Sequence, residues 1–205
     1  MDIAKLTSVA AISLLAAISP GPDFAVLTRN CMKGTFRTGF LTALGITTAL
    51  FIHITYCLLG IALIIQESPA LFNLLKYLGA AYLFYLGILM LKEKTSPEGT
   101  PEVAAITKKK RNPFLSGFLC NLLNPKATLF VLSLFAQFVD PNTHFLSKLL
   151  LGGVFALVTF SWFLFLSYLI THRMLQKHFA RFQFFITKGM GGILCVLAIY
   201  VALFS

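Results

Sequence analysis

Apolar residues fill six long runs, at about 4–28, 39–65, 69–91, 114–138, 149–170 and 186–204, and polar residues gather in the stretches between them. A helix needs about 20 mostly apolar residues to cross roughly 30 Å of hydrocarbon, and each run meets or approaches that length. Within lipid only helices and closed barrels satisfy their own backbone groups. These runs are continuously apolar rather than alternating, so helices are expected and a barrel is not. The pattern predicts an all-α integral membrane bundle of six transmembrane helices, forming a single transmembrane domain over 1–205.

Composition agrees, with 58% hydrophobic and 12% charged residues. A soluble domain of this length needs more polar surface than that supplies. Residues 6–19 have the apolar character of a signal-peptide core. However, Pro20 would follow the cut and the basic flank is a single Lys5, so the first helix is expected to stay.

The net charge of +10 changes the picture only once the helices are placed. Nucleic acid is one reading of such a charge, but in a membrane protein it sets orientation. Thirteen Lys and Arg residues fall in or beside the connections after helices 1, 3 and 5, running from Arg29 to Lys188. Only Lys5, Lys76 and Lys148 fall on the other side. The basic side is expected in the cytoplasm, with both termini outside it. The longest connection, about 92–112, holds Pro, Glu, Thr and the run Lys108-Lys109-Lys110-Arg111 and reads as a cytoplasmic linker. It divides the chain into repeat 1, about 1–91, and repeat 2, about 113–205.

Each half holds three helices, so the second enters the membrane from the opposite face. That is the condition for two inverted three-helix repeats, a common transporter plan. Helix 1 is interrupted by Pro20-Gly21-Pro22 and helix 4 by Asn124-Pro125-Lys126, while Lys76-x-x-Gly79 in helix 3 matches Lys188-x-x-Gly191 in helix 6. Proline lacks an N–H and clashes with the carbonyl four residues back, so both interruptions are expected to open their helices. Freed carbonyls favour a cation, and the amides that start a new half-helix favour an anion. One break therefore offers both halves of an amino-acid site.

Asp23 stands in the first break, where an ionisable side chain is costly unless it faces a polar cavity. It could hold a substrate amine, carry a coupling proton, or cap the second half-helix. Asn121 and Asn124 are three apart and are expected to share a helix face, where their amides bind substrate or satisfy carbonyls opened by Pro125. Lys126 lies about 12 residues into its run, roughly 18 Å deep, too deep for easy snorkelling. It could pair with Asp23 or with a substrate carboxylate. His53, mid-way along helix 2, is a weaker candidate for passing protons. Cys31, Cys57, Cys120 and Cys195 show no paired spacing and read as packing residues. No metal-ligand set and no cofactor is expected, and no enzyme, because Asp23 is the one acidic residue deep in the helices. An ion or metal transporter or channel of the same architecture is the alternative.

Ser19-Pro20-Gly21-Pro22-Asp23 resembles the first signature of the LysE/RhtB amino-acid exporter superfamily. Gly117-Phe118-Leu119-Cys120-Asn121-Leu122-Leu123-Asn124-Pro125-Lys126-Ala127 resembles its second, and Leu75-Lys76-Tyr77-Leu78-Gly79-Ala80-Ala81-Tyr82-Leu83 its third-helix pattern. Asp at position 23 is more similar to the homoserine and threonine exporter branch. The resemblance implies a multi-pass bacterial inner-membrane secondary transporter that exports neutral amino acids or related metabolites by proton antiport. Its partners would be the substrate, protons and the bilayer, without nucleic acid, and a homo-oligomer stays open. The substrate site implied comprises Pro20, Gly21, Pro22, Asp23, Asn121, Asn124, Pro125 and Lys126, with proton coupling at Asp23 and, more weakly, His53.

Overall fold

The computed structural model describes residues 3–19, 21–92, 112–139, 142–172, 188–189, 191–200 and 202–203, and among them every regular element is a helix. In chain order these are α1 (Ile3–Ile18), α2 (Pro22–Lys33), α3 (Phe36–Glu67), α4 (Pro69–Lys92), α5 (Pro113–Leu122), α6 (Pro125–Phe138), α7 (Phe145–Thr171) and α8 (Gly191–Tyr200).

Three of them, over Phe36–Ile61, Ala70–Lys92 and Phe145–Thr171, are long and apolar enough to cross a membrane. The pairs α1–α2 and α5–α6 each make one further crossing if a bent pair counts as a span. The bends are 60° and 61°, and they fall at the two proline interruptions. The last apolar run is represented among the described residues by α8, and the expected linker over about 92–112 lies almost wholly outside them.

The local reasons for the breaks are chemical. Pro22 and Pro125 each sit at the start of the second half-helix, where a missing N–H costs nothing. Asn124 caps α6, its side-chain oxygen accepting from the Lys126 N–H at 3.0 Å. This corrects the expectation that Asn121 and Asn124 share one helix face. α5 ends at Leu122, so Asn121 closes one half-helix and Asn124 opens the next.

Two glycines explain why α3 lies so close to α5. A Cβ on Gly45 would strike the Phe114 carbonyl oxygen, and one on Gly117 would strike the Thr42 carbonyl oxygen. The two backbones are in direct contact, the use of small residues that replaces hydrophobic drive between helices in lipid. α3 also packs along α7, α4 along α6, and α1 along α7. Lys188 donates to the Leu91 carbonyl, which sets the residues just before α8 beside the end of α4. Leu50 and Ile54 of α3, Phe130, Leu134 and Phe135 of α6, and Phe155 of α7 belong to the largest buried cluster, to which α1, α4 and α8 also contribute.

Candidate functional site

The two breaks meet. Asp23 lies in the first turn of α2, where a negative charge complements the half-helix dipole. The N-cap position itself belongs to Gly21, without a side-chain cap bond. Instead of capping, the Asp23 carboxylate reaches the second break. Its Oδ2 accepts from Asn121 Nδ2 at 2.9 Å and from Asn124 Nδ2 at 3.4 Å. Its Oδ1 is enclosed and has no hydrogen-bond partner, and so is Oδ1 of Asn121.

Lys126 stands in the first turn of α6, the unfavourable end of a helix for a cation. It is therefore not placed there for the stability of α6. Its Nζ donates to Ser19 Oγ at 3.1 Å, on the chain that leads into the first break, and acts electrostatically on Asp23. The same Nζ lies 3.6 Å from where a Cβ on Gly21 would be, so the glycine leaves room for the ammonium. Tyr82 holds the start of α6 to α4, its hydroxyl donating to the Lys126 carbonyl at 3.5 Å.

Asp23, Asn121, Asn124 and Lys126 line a cavity of about 80 Å³, room for several water-sized groups. Gly21, Pro22 and Ser19 complete its polar wall. The remaining wall is apolar, with Leu50, Leu86, Met90, Phe130, Phe155 and Phe163. Every helix from α1 to α8 contributes at least one lining residue. Thr159 of α7 adds a further polar group. The hydroxyls of Thr42, Thr47, Thr48, Thr55, Ser167 and Thr171 donate to the carbonyl four residues back, whereas the buried Thr159 hydroxyl has no partner.

Of the residues singled out in the sequence, Gly21, Pro22, Asp23, Asn121, Asn124 and Lys126 all line this cavity. Pro125 starts α6 beside it, and Pro20 lies outside the described residues. His53 is fully buried, but it stands behind the wall. Its Nε2 meets the Asn121 carbonyl at 3.0 Å, and its Nδ1 faces the hydroxyls of Tyr56 and Thr128. Sequence reasoning missed Ser19 as the partner of Lys126, although it directly precedes the break, and it missed Thr159. Among the described residues no group of three His, Cys, Asp or Glu side chains converges, and Cys31, Cys57 and Cys120 are buried and form no disulfide.

An acidic and a basic side chain thus share one cavity with two amides and two half-helix N-termini. Such a space can hold a small molecule with both an ammonium and a carboxylate.

Comparison with known proteins points to transport. The family model described as "LysE type translocator" matches residues 14–205. A threonine efflux protein of Escherichia coli (strain K12) is 29% identical over 199 residues, 95% of each chain. An uncharacterized membrane protein of Bacillus subtilis (strain 168), YrhP, is 31% identical over 191 residues, 89% of this chain and 91% of its own. An uncharacterized membrane protein of Pseudomonas aeruginosa is 40% identical over 157 residues, 74% of this chain and 71% of its own. No solved structure matches.

Proposed function

This chain belongs to the LysE type translocator family, and from that premise we infer that it is a secondary transporter exporting neutral amino acids or related metabolites by proton antiport. The observation that carries the reading is the meeting of the two breaks, with Asp23 and Lys126 lining one cavity. The similarity to threonine efflux proteins supports the amino-acid class of substrate.

In this reading the substrate ammonium binds toward Asp23, at the oxygen left without a partner. Its carboxylate binds toward Lys126 and the first amides of the half-helices. The apolar wall takes an uncharged side chain. A charged side chain would need a partner there, because an unpaired charge in an apolar surround is costly. Asp23 also carries the proton. Protonation from outside weakens its hold on the ammonium, and deprotonation toward the cytoplasm restores it. In this reading the proton does not pass through His53, whose contact on the cavity side is a backbone carbonyl, which accepts a hydrogen bond but has no proton to pass on.

The architecture behind this cycle is six spans in two inverted repeats, with the basic connections in the cytoplasm of a bacterial inner membrane. The packing supports it. An axis exchanging span 1 with span 4 and span 2 with span 5 would exchange the α3–α5 contact with the α1–α7 contact, and both contacts exist.

Counterflow in proteoliposomes tests the reading. Liposomes loaded with one neutral amino acid should take up the labelled form, and an imposed proton gradient should drive net movement. Absence of counterflow with every amino acid, alongside movement of a metal or alkali cation, would favour the ion-transporter alternative.

A further inference from the structure

His53 is a charged-capable side chain buried to 1% exposure in a lipid-embedded bundle, and its contacts define its state. Nε2 faces the Asn121 carbonyl, which can only accept, so Nε2 carries a hydrogen and donates. In the neutral ring Nδ1 is then an acceptor. It takes a hydrogen from the Tyr56 or the Thr128 hydroxyl, and those two are themselves linked at 3.1 Å. The tautomer follows from the network.

The carbonyl that His53 holds lies at the break between α5 and α6. The last carbonyls of any helix lack their own partners. Asn121 O accepts from Asn124 N at 2.9 Å and from His53, so the ring braces the bend from the side of α3. Thr128, on the first turns of α6, is gathered into the same network. One ring therefore ties α3 to both half-helices. The side chain of the residue it holds, Asn121, is the one that donates to Asp23 at 2.9 Å.

We propose that His53 is a positioning residue for the transport site, fixing the bend of the α5–α6 pair so that the Asn121 amide stays on Asp23, with Tyr56 and Thr128 holding its tautomer. This rests on the reading of Asp23 as the site's acidic group. It gives His53 a geometric task and no proton traffic.

Three variants separate the roles. In His53→Gln, the side-chain amide can still donate to the Asn121 carbonyl but cannot titrate. His53→Leu removes the donor, and His53→Asn keeps a polar group that is too short to reach. Wild type and variants are compared per folded molecule in proteoliposomes, by counterflow without a proton gradient and by proton-driven transport. Positioning predicts that Leu and Asn each lower both activities by about tenfold, the equivalent of about 1.4 kcal/mol, and that Gln stays within about twofold of wild type in both. Gln losing proton-driven transport while keeping counterflow would overturn the proposal in favour of a relay. Leu or Asn at wild-type rate would overturn it as well. A second readout needs no substrate. Asp23 labelling by a hydrophobic carbodiimide, followed by mass spectrometry, should quicken in Leu and Asn, where the carboxyl loses its amide donor, and not in Gln. Equal labelling in all four proteins would overturn the proposal. If wild type shows no counterflow at all, the transport reading fails while this arm still decides the role of His53.

Discussion

In the proposed cycle Asp23 both holds the substrate ammonium and carries the proton. Its position in the first turn of α2 lets the half-helix stabilise its charge, and its two amide donors come from across the bend of another span. Hydrogen bonds to a charged group contribute about 1.5–3 kcal/mol each. Asp23→Asn keeps the size and one acceptor oxygen, so the protein should still fold and reach the membrane. It should lose proton-driven export, because the amide carries neither a charge nor a proton. Export at the wild-type rate along the same gradient would show that Asp23 only shapes the break. Asp23, Asn121, Asn124 and Lys126 were legible in the sequence because polar groups are expensive in an apolar run and each stands out. The pairings were less legible. That Lys126 reaches Ser19, and that His53 braces Asn121 rather than facing the cavity, depends on which helices meet. Residue spacing along one chain does not contain that information.

At the scale of helices, prolines marked both bends in advance, since their missing N–H and their ring are local properties. The interruption at Asn124-Pro125-Lys126 falls where expected, but Asn121 and Asn124 share no helix face, because Asn124 takes the N-cap of α6. The α3–α5 crossing rests on Gly45 of α3. Its partner Gly117 was read as part of a signature rather than as a contact. A methyl group at either glycine must push two backbones apart. Gly117→Ala and Gly45→Ala should each cost on the order of 1–3 kcal/mol and lower the melting temperature of the detergent-purified protein. Gly153→Ala is the control, since a Cβ there meets nothing within 4 Å and should leave melting unchanged. Equal melting of all three variants would mean that the close crossing is not needed.

At the scale of the whole molecule, each of the eight described helices contributes to the lining of one cavity. The three long spans and the two bent pairs were legible from hydropathy alone. Their mutual arrangement was not, because lipid-facing and protein-facing sides are both apolar in such helices. Topology can be read directly with introduced cysteines in a Cys195→Ala background, as Cys31, Cys57 and Cys120 are buried. Thr35→Cys, in the exposed turn after α2, should react with a membrane-impermeant maleimide only from the cytoplasmic side. Asn142→Cys, exposed before α7, should react only from outside. The reverse pattern would overturn the orientation drawn from the basic residues. The central claim is that the two breaks act as one site, with Asp23 taking the ammonium and Lys126 the carboxylate. Its most direct test is counterflow by Lys126→Gln with a free amino acid and with its amide, which keeps the ammonium and lacks the carboxylate. The expected result is a loss of about tenfold for the free amino acid, the value of roughly 1.4 kcal/mol, with little change for the amide. An equal loss for both would contradict it and leave Lys126 as a structural partner of the first break.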